Sequence, residues 1–421
     1  MNDLRSISLN IILCIFAQQF CSAVEAQTWT YRQDIPNTPT SGRWGAISFS
    51  VGGKVYVGGG YKGNFTSLND FWEYDPTTDQ WTQKQNLPGA VNRTAGAGFS
   101  GNGKGYVCLG SANYNTVSAA FLADLWEYDP AADSWTQKSS LPDSGRHHAA
   151  VFVIGSKAYI AGGSTGYPYI ASNDLWEYDM INDSWSSKAS YPAVSINQAM
   201  GFAAGNKGYL VGGHVMHYNT TGNGTADSAT YEYDPASNTW TRKSDFCGRR
   251  KCGIAFSLND MGYVGLGMAD FATNTIYYEE FCRYDPVGDS WTPAASYPGI
   301  ARAYAVAAVA NGKAYAGGGW LFVSSEMYHK DWAEFDAGDV GIAPIAGLQP
   351  SVYPNPASTH LRITCEEEQD VTMIDVYGKI VCRKTIKPGH DNTIDVSILS
   401  NGVYVLQGKK PGGPLKVVIA H

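Results

Sequence analysis

One sentence of nineteen residues is written three times in this chain. It reads DFWEYDPTTDQWTQKQNLP from Asp70 to Pro88, DLWEYDPAADSWTQKSSLP from Asp124 to Pro142, and DLWEYDMINDSWSSKASYP from Asp174 to Pro192. The tryptophan near the end of the sentence belongs to a longer series at 29, 81, 135, 185, 240 and 291, with steps of 52, 54, 50, 55 and 51 residues. A tyrosine stands seven residues before each of the last five, at 74, 128, 178, 233 and 284. A glycine-rich patch follows each tryptophan, as in Gly58-Gly59-Gly60, Gly162-Gly163, Gly212-Gly213 and Gly317-Gly318-Gly319. Self-similarity at a fixed period constrains a fold more than composition does, because each unit must bury its faces against its neighbours.

Each mark has a physical reading. GKAYAGGG (312–319) is a buried strand ending in glycines, where other backbone can approach closely. WEYDP is a second strand running into an Asp-Pro turn, in which proline presets φ and aspartate bonds the backbone two residues on. The unit is therefore four antiparallel strands, here called A to D from first to last. In the third unit they are expected near 147–153, 157–163, 174–179 and 183–188. One such sheet cannot cover both its faces, whereas six arranged radially can. The last unit has an A, a B and a C strand, the third being Asp331 to Asp336, and then the pattern stops. The missing tryptophan strand lies at the other end of the chain, in QTWTYRQDIP (27–36). Residues 27–34 are thus expected to close the last sheet and leave no open edge.

Six units with these marks resemble the kelch repeat, over roughly 29–336, and the resemblance implies a six-bladed β-propeller. The expected organisation is a signal peptide (1–26), a propeller (27–338), a linker (339–349) and a C-terminal domain (350–421). The fold class is all-β.

Residues 1–26 combine Arg5, an apolar run from Ile7 to Phe20 and Val24-Glu25-Ala26 before Gln27, the pattern of a secretory leader cleaved after Ala26. The run is too short to span a bilayer, so no transmembrane segment is expected. A net charge of −8 argues against nucleic acid as a partner. Six cysteines remain beyond the leader, and proximity favours Cys247–Cys252 and Cys365–Cys382 pairs in an exported chain.

After Asp336 a small-residue, proline-containing linker leads to a segment of different style. Its alternating strands, SVYPNPASTHLRI, VTMIDVYGKIV, IDVSILSNGVYVLQ and LKVVIA, fit a small β-sandwich of Ig-like type. Tyr353-Pro354-Asn355-Pro356, Asp375-Val376-Tyr377-Gly378-Lys379 and Leu399-Ser400-Asn401-Gly402-Val403-Tyr404 resemble, in order, the type A sorting domain of the Bacteroidetes type IX secretion system. That resemblance implies the type IX machinery as a partner. It also implies Sec export through the periplasm, then release or display at the outer-membrane surface.

In a propeller the D–A and B–C connections emerge on one face, around the mouth of the central channel. Aromatic residues gather in the B–C connections: Tyr61, Tyr114, Tyr167, Tyr169, Tyr218 and Trp320, with His214. Such side chains suit sugar faces or protein hot spots. A second series lies near the start of each A strand: Arg43, Arg93, Arg146, Arg249 or Arg250 (Arg249 by the register chosen here), and Arg302, with Ile196 breaking it. These guanidiniums are candidates to clamp an acidic ligand at the channel mouth. The alternative is an internal pairing with the acids that open the C strands, Asp70, Asp124, Asp174, Glu280 and Asp331, where Ala229 is the exception. His147-His148 and His214-x2-His217 are the one metal-like grouping, but strand alternation sends His147 and His148 to opposite sides. No metal site and no cofactor is expected.

No H-E-x-x-H, no P-loop and no G-x-S-x-G elbow is expected, since the one matching string, Gly162-Gly163-Ser164-Thr165-Gly166, is the repeated glycine patch of the third unit. The repeated glutamates Glu73, Glu127, Glu177, Glu232 and Glu334 follow the fold and read as scaffold. The expected function is a secreted, surface-displayed, non-catalytic module for an unidentified protein or carbohydrate ligand. The alternatives are a carbohydrate-active enzyme resembling the sialic-acid mutarotases, which share the six-bladed kelch form, and a structural adhesin or matrix component.

Overall fold

The computed structural model describes residues 27–36, 42–62, 67–89, 92–112, 120–165, 170–193, 195–215, 225–270 and 274–338. In the tail it describes 351–353, 357, 359–364, 368–375, 380–390, 392–400, 402–408 and 415–419. The leader and the linker lie outside these residues, as do Tyr114, Tyr167, Tyr169, His217 and Tyr218.

Six four-stranded antiparallel sheets make up the unit Gln27–Ala337. In blade 1 the strands are Ile47–Val51 (A), Lys54–Gly58 (B), Phe71–Asp75 (C) and Gln80–Lys84 (D). Blades 2 to 5 repeat this order, with A strands at Ala97–Gly101, Ala150–Ile154, Met200–Ala204 and Ile254–Leu258. Blade 6 contributes Val306–Ala310, Lys313–Gly317 and Trp332–Asp336, and its fourth strand is Thr28–Arg32. The N-terminal strand pairs antiparallel with the last C strand, Trp29 opposite Phe335. The ring is therefore closed by hydrogen bonds between the two ends of the domain.

The repeated sentence holds neighbouring blades together. Each D-strand indole donates to a carbonyl just beyond the preceding D strand: Trp81 to Gln33, Trp135 to Gln85, Trp185 to Ser139 and Trp240 to Ala189, at 2.7–3.0 Å. Trp29 makes the same bond to Ala295 at 2.9 Å, so the closing strand is stapled like the others. Each C-strand tyrosine donates to the acceptor five residues on, as Tyr74 does to Asp79 at 2.8 Å. That acceptor also receives a backbone N–H from the previous blade, here Gln33 at 2.9 Å. The glutamate of WEYD accepts from the B-strand tyrosine, as in Tyr56 to Glu73 at 2.6 Å, and lies beside lysines. It sits in the sheet, away from the axis.

Between blades the faces are apolar. Phe99 and Tyr106 of blade 2 stack at 5.1 Å and share a buried cluster with Ala158, Ile160 and Tyr178 of blade 3. Gly105 is required at the layer between blades 1 and 2, because a Cβ there would lie 2.0 Å from the Phe49 ring.

The tail residues form a second compact unit. A three-stranded sheet (351–353, 360–364, 393–395) and a four-stranded sheet (380–386, 369–375, 402–408, 415–419) share one buried cluster, including Leu361, Ile363, Val371, Met373 and Val417. Among the described residues no helix is long and apolar enough to cross a membrane.

Among the described residues one disulfide is present, Cys247–Cys282, and this corrects the Cys247–Cys252 pairing by proximity. The fold lays the connection between blades 4 and 5 against the C strand of blade 5, bringing together cysteines 35 residues apart. Cys252 is a buried free thiol, Cys382 is also free, and Cys365 lies outside the described residues.

Candidate functional site

The series of arginines is part of the wall, not of the mouth. Arg43 is 2% exposed and forms a two-pronged pair with Asp70, at 2.8 and 2.7 Å. Arg93 does the same with Asp124, at 2.8 and 2.6 Å. Arg146 meets Asp174 at 2.6 Å and Arg302 meets Asp331 at 2.6 Å. Each guanidinium also donates to a carbonyl sixteen residues on, Gly59 for Arg43 and Gly162 for Arg146. In return each arginine carbonyl accepts a glycine amide from the preceding blade, as Gly110 N–H donates to Arg146 at 2.8 Å. These second glycines have φ near +100°, as at Gly110 and Gly213, where a side chain would be strained. The pairs are seams joining one blade to the next.

Two seams differ. The fifth is held by Arg250 and not by Arg249, which is exposed. Gly248-Arg249 belong to the turn after Cys247, so the register moves by one residue. Arg250 donates to Leu266 O at 2.8 Å and its guanidinium lies 3.7 Å from the Tyr278 ring centre. The Cys247–Cys282 disulfide spans the same seam. At the fourth seam Ile196 and Ala229 stand at the arginine and aspartate positions together, both buried, beside Tyr191 and Tyr231. The two breaks in the repeat are thus one exchange of an ion pair for an apolar pair.

The B–C connections of blades 2 to 6 begin and end as two-stranded ribbons, such as His214–Val215 with Thr225–Ala226 and Trp320–Phe322 with Glu326–Tyr328. The first residue of each ribbon is bridged to the D–A connection of the same blade: Ser111 to Thr94, Ser164 to His147, His214 to Asn197, Met268 to Lys251, Trp320 to Ala303, and in blade 1 Tyr61 to Trp44. The next residues inward are Gly45, Ala95, His148, Gln198, Cys252 and Tyr304. All six have φ between 52° and 60°. Their peptides close a circle, each amide donating to the carbonyl of the preceding blade at 2.8–3.0 Å, from Gly45 back to Tyr304. The sequence offers no signal for this ring beyond the alignment of the six units.

Inside the ring, side chains meet across the axis. The Gln198 amide donates to Tyr304 Oη at 3.1 Å, and the His148 and Tyr304 rings lie 5.3 Å apart. His147 Nδ1 and His148 Nδ1 are 2.5 Å apart, so one of the two carries the proton. The expected divergence of these histidines fails because the left-handed backbone at His148, φ 55°, interrupts the alternation. Burial holds the His147 imidazole down to about 4, and burial together with His147 and Lys251 holds His148 well below the ordinary value. Both are neutral at pH 7. The Lys251 ammonium is buried against the Asp270 carboxylate. Among the described residues no group of three metal-binding side chains converges.

The other half of the mouth is aromatic. Trp44 packs on Tyr61 at 5.4 Å and on Tyr304 at 4.9 Å, Tyr304 lies 6.2 Å from Trp320, and Trp320 lies 5.9 Å from Tyr277. Tyr61 is buried, and Trp320 and His214 are half-buried. Beyond Trp320 the ribbon tips present Phe322, 51% exposed, and Val323, 72% exposed. Along the A strands the axis encloses a cavity of about 290 Å³ lined by small residues such as Ser48, Gly98, Val151, Gly201, Ala255 and Ala307. Among the described residues no charged side chain lines it.

Fold and repeat together define the class: this chain is a kelch-repeat, six-bladed β-propeller followed by a secretion-system sorting domain. The KLHDC2/KLHL20/DRC7 Kelch-repeats domain matches residues 15–163, the Kelch motif matches 145–190, and the Secretion system C-terminal sorting domain matches 351–419. Among curated relatives, the N-acetylneuraminate epimerase of Pasteurella multocida (strain Pm70) is 33% identical over 153 residues, 35% of this chain and 37% of that protein. That of Haemophilus influenzae (strain PittEE) is 25% identical over 166 residues, 31% of this chain and 44% of that protein. Kelch-like protein 25 of Xenopus tropicalis is 28% identical over 251 residues, 59% of this chain and 31% of that protein. The chain thus spans less than half the length of each of these relatives. The solved structure of YjhT superposes with a TM-score of 0.52 at 16% identity, covering 62% of this chain and 86% of that one, a likeness of fold.

Proposed function

We propose that this protein is a secreted, surface-displayed recognition module that binds glycan or protein without catalysis, through the face formed by the D–A and B–C connections. The observation that carries this reading is the use of charge. The four best-formed arginine pairs are closed inside the seams, Lys251 is closed by Asp270, and the described residues lining the axial cavity are uncharged. An acid–base pair aimed at a common substrate atom is what catalysis requires. Rigid ribbons bearing Trp320, Phe322 and Val323 are what recognition requires. The tail, matched to a sorting domain, supports delivery by a type IX pathway.

Glycan and protein arrays probed with the full chain test the reading. Saturable binding that weakens at least tenfold in Trp320→Ala and Phe322→Ala is expected. Binding unchanged in both places the ligand elsewhere. A second reading, sugar mutarotation, is favoured by the alignments to two N-acetylneuraminate epimerases. NMR of anomer exchange separates the two: acceleration of any sugar in a neutral and acidic panel replaces recognition by catalysis.

A further inference from the structure

We propose that the mouth takes one terminal, uncharged sugar ring of a glycan, end-on, with its apolar face on the Trp44–Tyr304–Trp320 side and its hydroxyl edge on Asn197 and Gln198. This rests on the recognition reading above and specifies its ligand. Three observations carry it.

First, the mouth is divided by sector. Blades 6 and 1 supply Trp44, Tyr304 and Trp320, while blades 3 to 5 supply His147, His148, Asn197, Gln198 and Lys251. A pyranose has the matching division, an apolar face of C–H groups and a polar rim of hydroxyls. Second, the polar half holds two buried acceptors that no described residue satisfies. Asn197 Oδ1 and Gln198 Oε1 are buried acceptors with no hydrogen-bond partner among the described residues, and the Asn197 side chain is otherwise tied to Ser164 Oγ at 2.9 Å. A buried acceptor left unmatched is costly, so a ligand hydroxyl or amide N–H that satisfies it binds with that cost relieved. Third, among the described residues every cation at this site is already engaged. Lys251 is held by Asp270, four seam arginines are held by their aspartates, Arg250 is buried between Leu266 O and the Tyr278 ring, and both histidines are neutral. A carboxylate brought to two bare acceptors would be repelled.

The floor also sets the mode of entry. The closed circle of six peptide bonds and the Gln198–Tyr304 contact seal the axis. A ligand therefore cannot thread the channel, and a chain end fits where a chain middle does not.

The test uses the full chain and methyl glycosides of neutral hexoses and N-acetylhexosamines, each beside its uronic-acid counterpart, with sialic acid methyl glycoside added. Binding is read by saturation-transfer NMR and tryptophan fluorescence. Saturable binding of a neutral glycoside is expected, about tenfold weaker for the matched acid, and about tenfold weaker in Asn197→Ala and in Gln198→Ala. The ligand panel on the unaltered chain decides the charge question even where a variant folds poorly. Acids that bind as well as neutral glycosides overturn the inference. So does neutral binding that both variants leave unchanged, or a saturable polypeptide ligand with no glycoside bound; in those cases recognition stands and this inference falls. Accelerated anomer exchange overturns recognition itself.

Discussion

The first seam offers a stability experiment whose control already exists in the fourth. Replacing Arg43 by isoleucine removes two short bonds to Asp70 and leaves a carboxylate whose side chain is 8% exposed. Part of the remaining help comes from the Trp72 indole, at 2.8 Å. Removing one partner of a buried pair costs roughly 3–5 kcal/mol, most of it from the charge left behind. Loss of the bond to Gly59 O adds about 1 kcal/mol. The pair Arg43→Ile with Asp70→Ala removes both charges and copies the Ile196–Ala229 solution at the fourth seam. It should therefore recover at least about 2 kcal/mol of the single-variant loss, since well-packed apolar replacements of buried ion pairs are often close to neutral. For a domain this large, 3–5 kcal/mol corresponds to a fall of roughly 5–8 °C in Tm. Guanidinium titrations followed by tryptophan fluorescence, with thermal melts beside them, measure both variants. The reasoning is refuted if Arg43→Ile alone costs under 1 kcal/mol, or if the double variant is no more stable than the single one.

Three further outcomes are expected. Acid should weaken the propeller before its carboxylates titrate. His147 and His329 are each depressed by burial to about 4 and His148 lies further down, so stability is intact above the unfolded value near 6.5 and is lost as pH falls towards 4, by about 3 kcal/mol for His147. A Tm unchanged from pH 7 to 4.5 would contradict this. Cys247→Ser or mild reduction should cost roughly 3–4 kcal/mol, because the disulfide closes a 35-residue separation, and a melt insensitive to reductant in the full chain would exclude the bond. Deleting 350–421 should leave a folded propeller retained in the periplasm; surface labelling of that truncation at normal levels would show that the tail does not direct export.

The ring was legible in the sequence because its parts repeat. The tryptophan does the same work in every blade, the tyrosine in five and the Asp-Pro turn in four, so one physical reading applies to each series, and the displaced strand at Trp29 follows from counting. The seam was half legible: arginines and aspartates stood in the right places, but whether each guanidinium faced the channel or its aspartate depends on side-chain direction. The site was least legible. Pairing cysteines by nearness missed Cys247–Cys282, because a propeller brings distant connections side by side. Treating His147-His148 as extended strand missed their contact, because a left-handed residue begins every inner strand.

The sequence alone determines the number of blades, the strand order within them and the place where the circle closes. These follow from periodic burial and local turn chemistry, which any stretch of about fifty residues contains in full. Only the tertiary structure decides what faces the axis. Gly45, Ala95, His148, Gln198, Cys252 and Tyr304 share no residue type, and they become neighbours when six separate connections are bent inward and their peptides joined. That adjacency is a property of the closed ring, and no single repeat carries it.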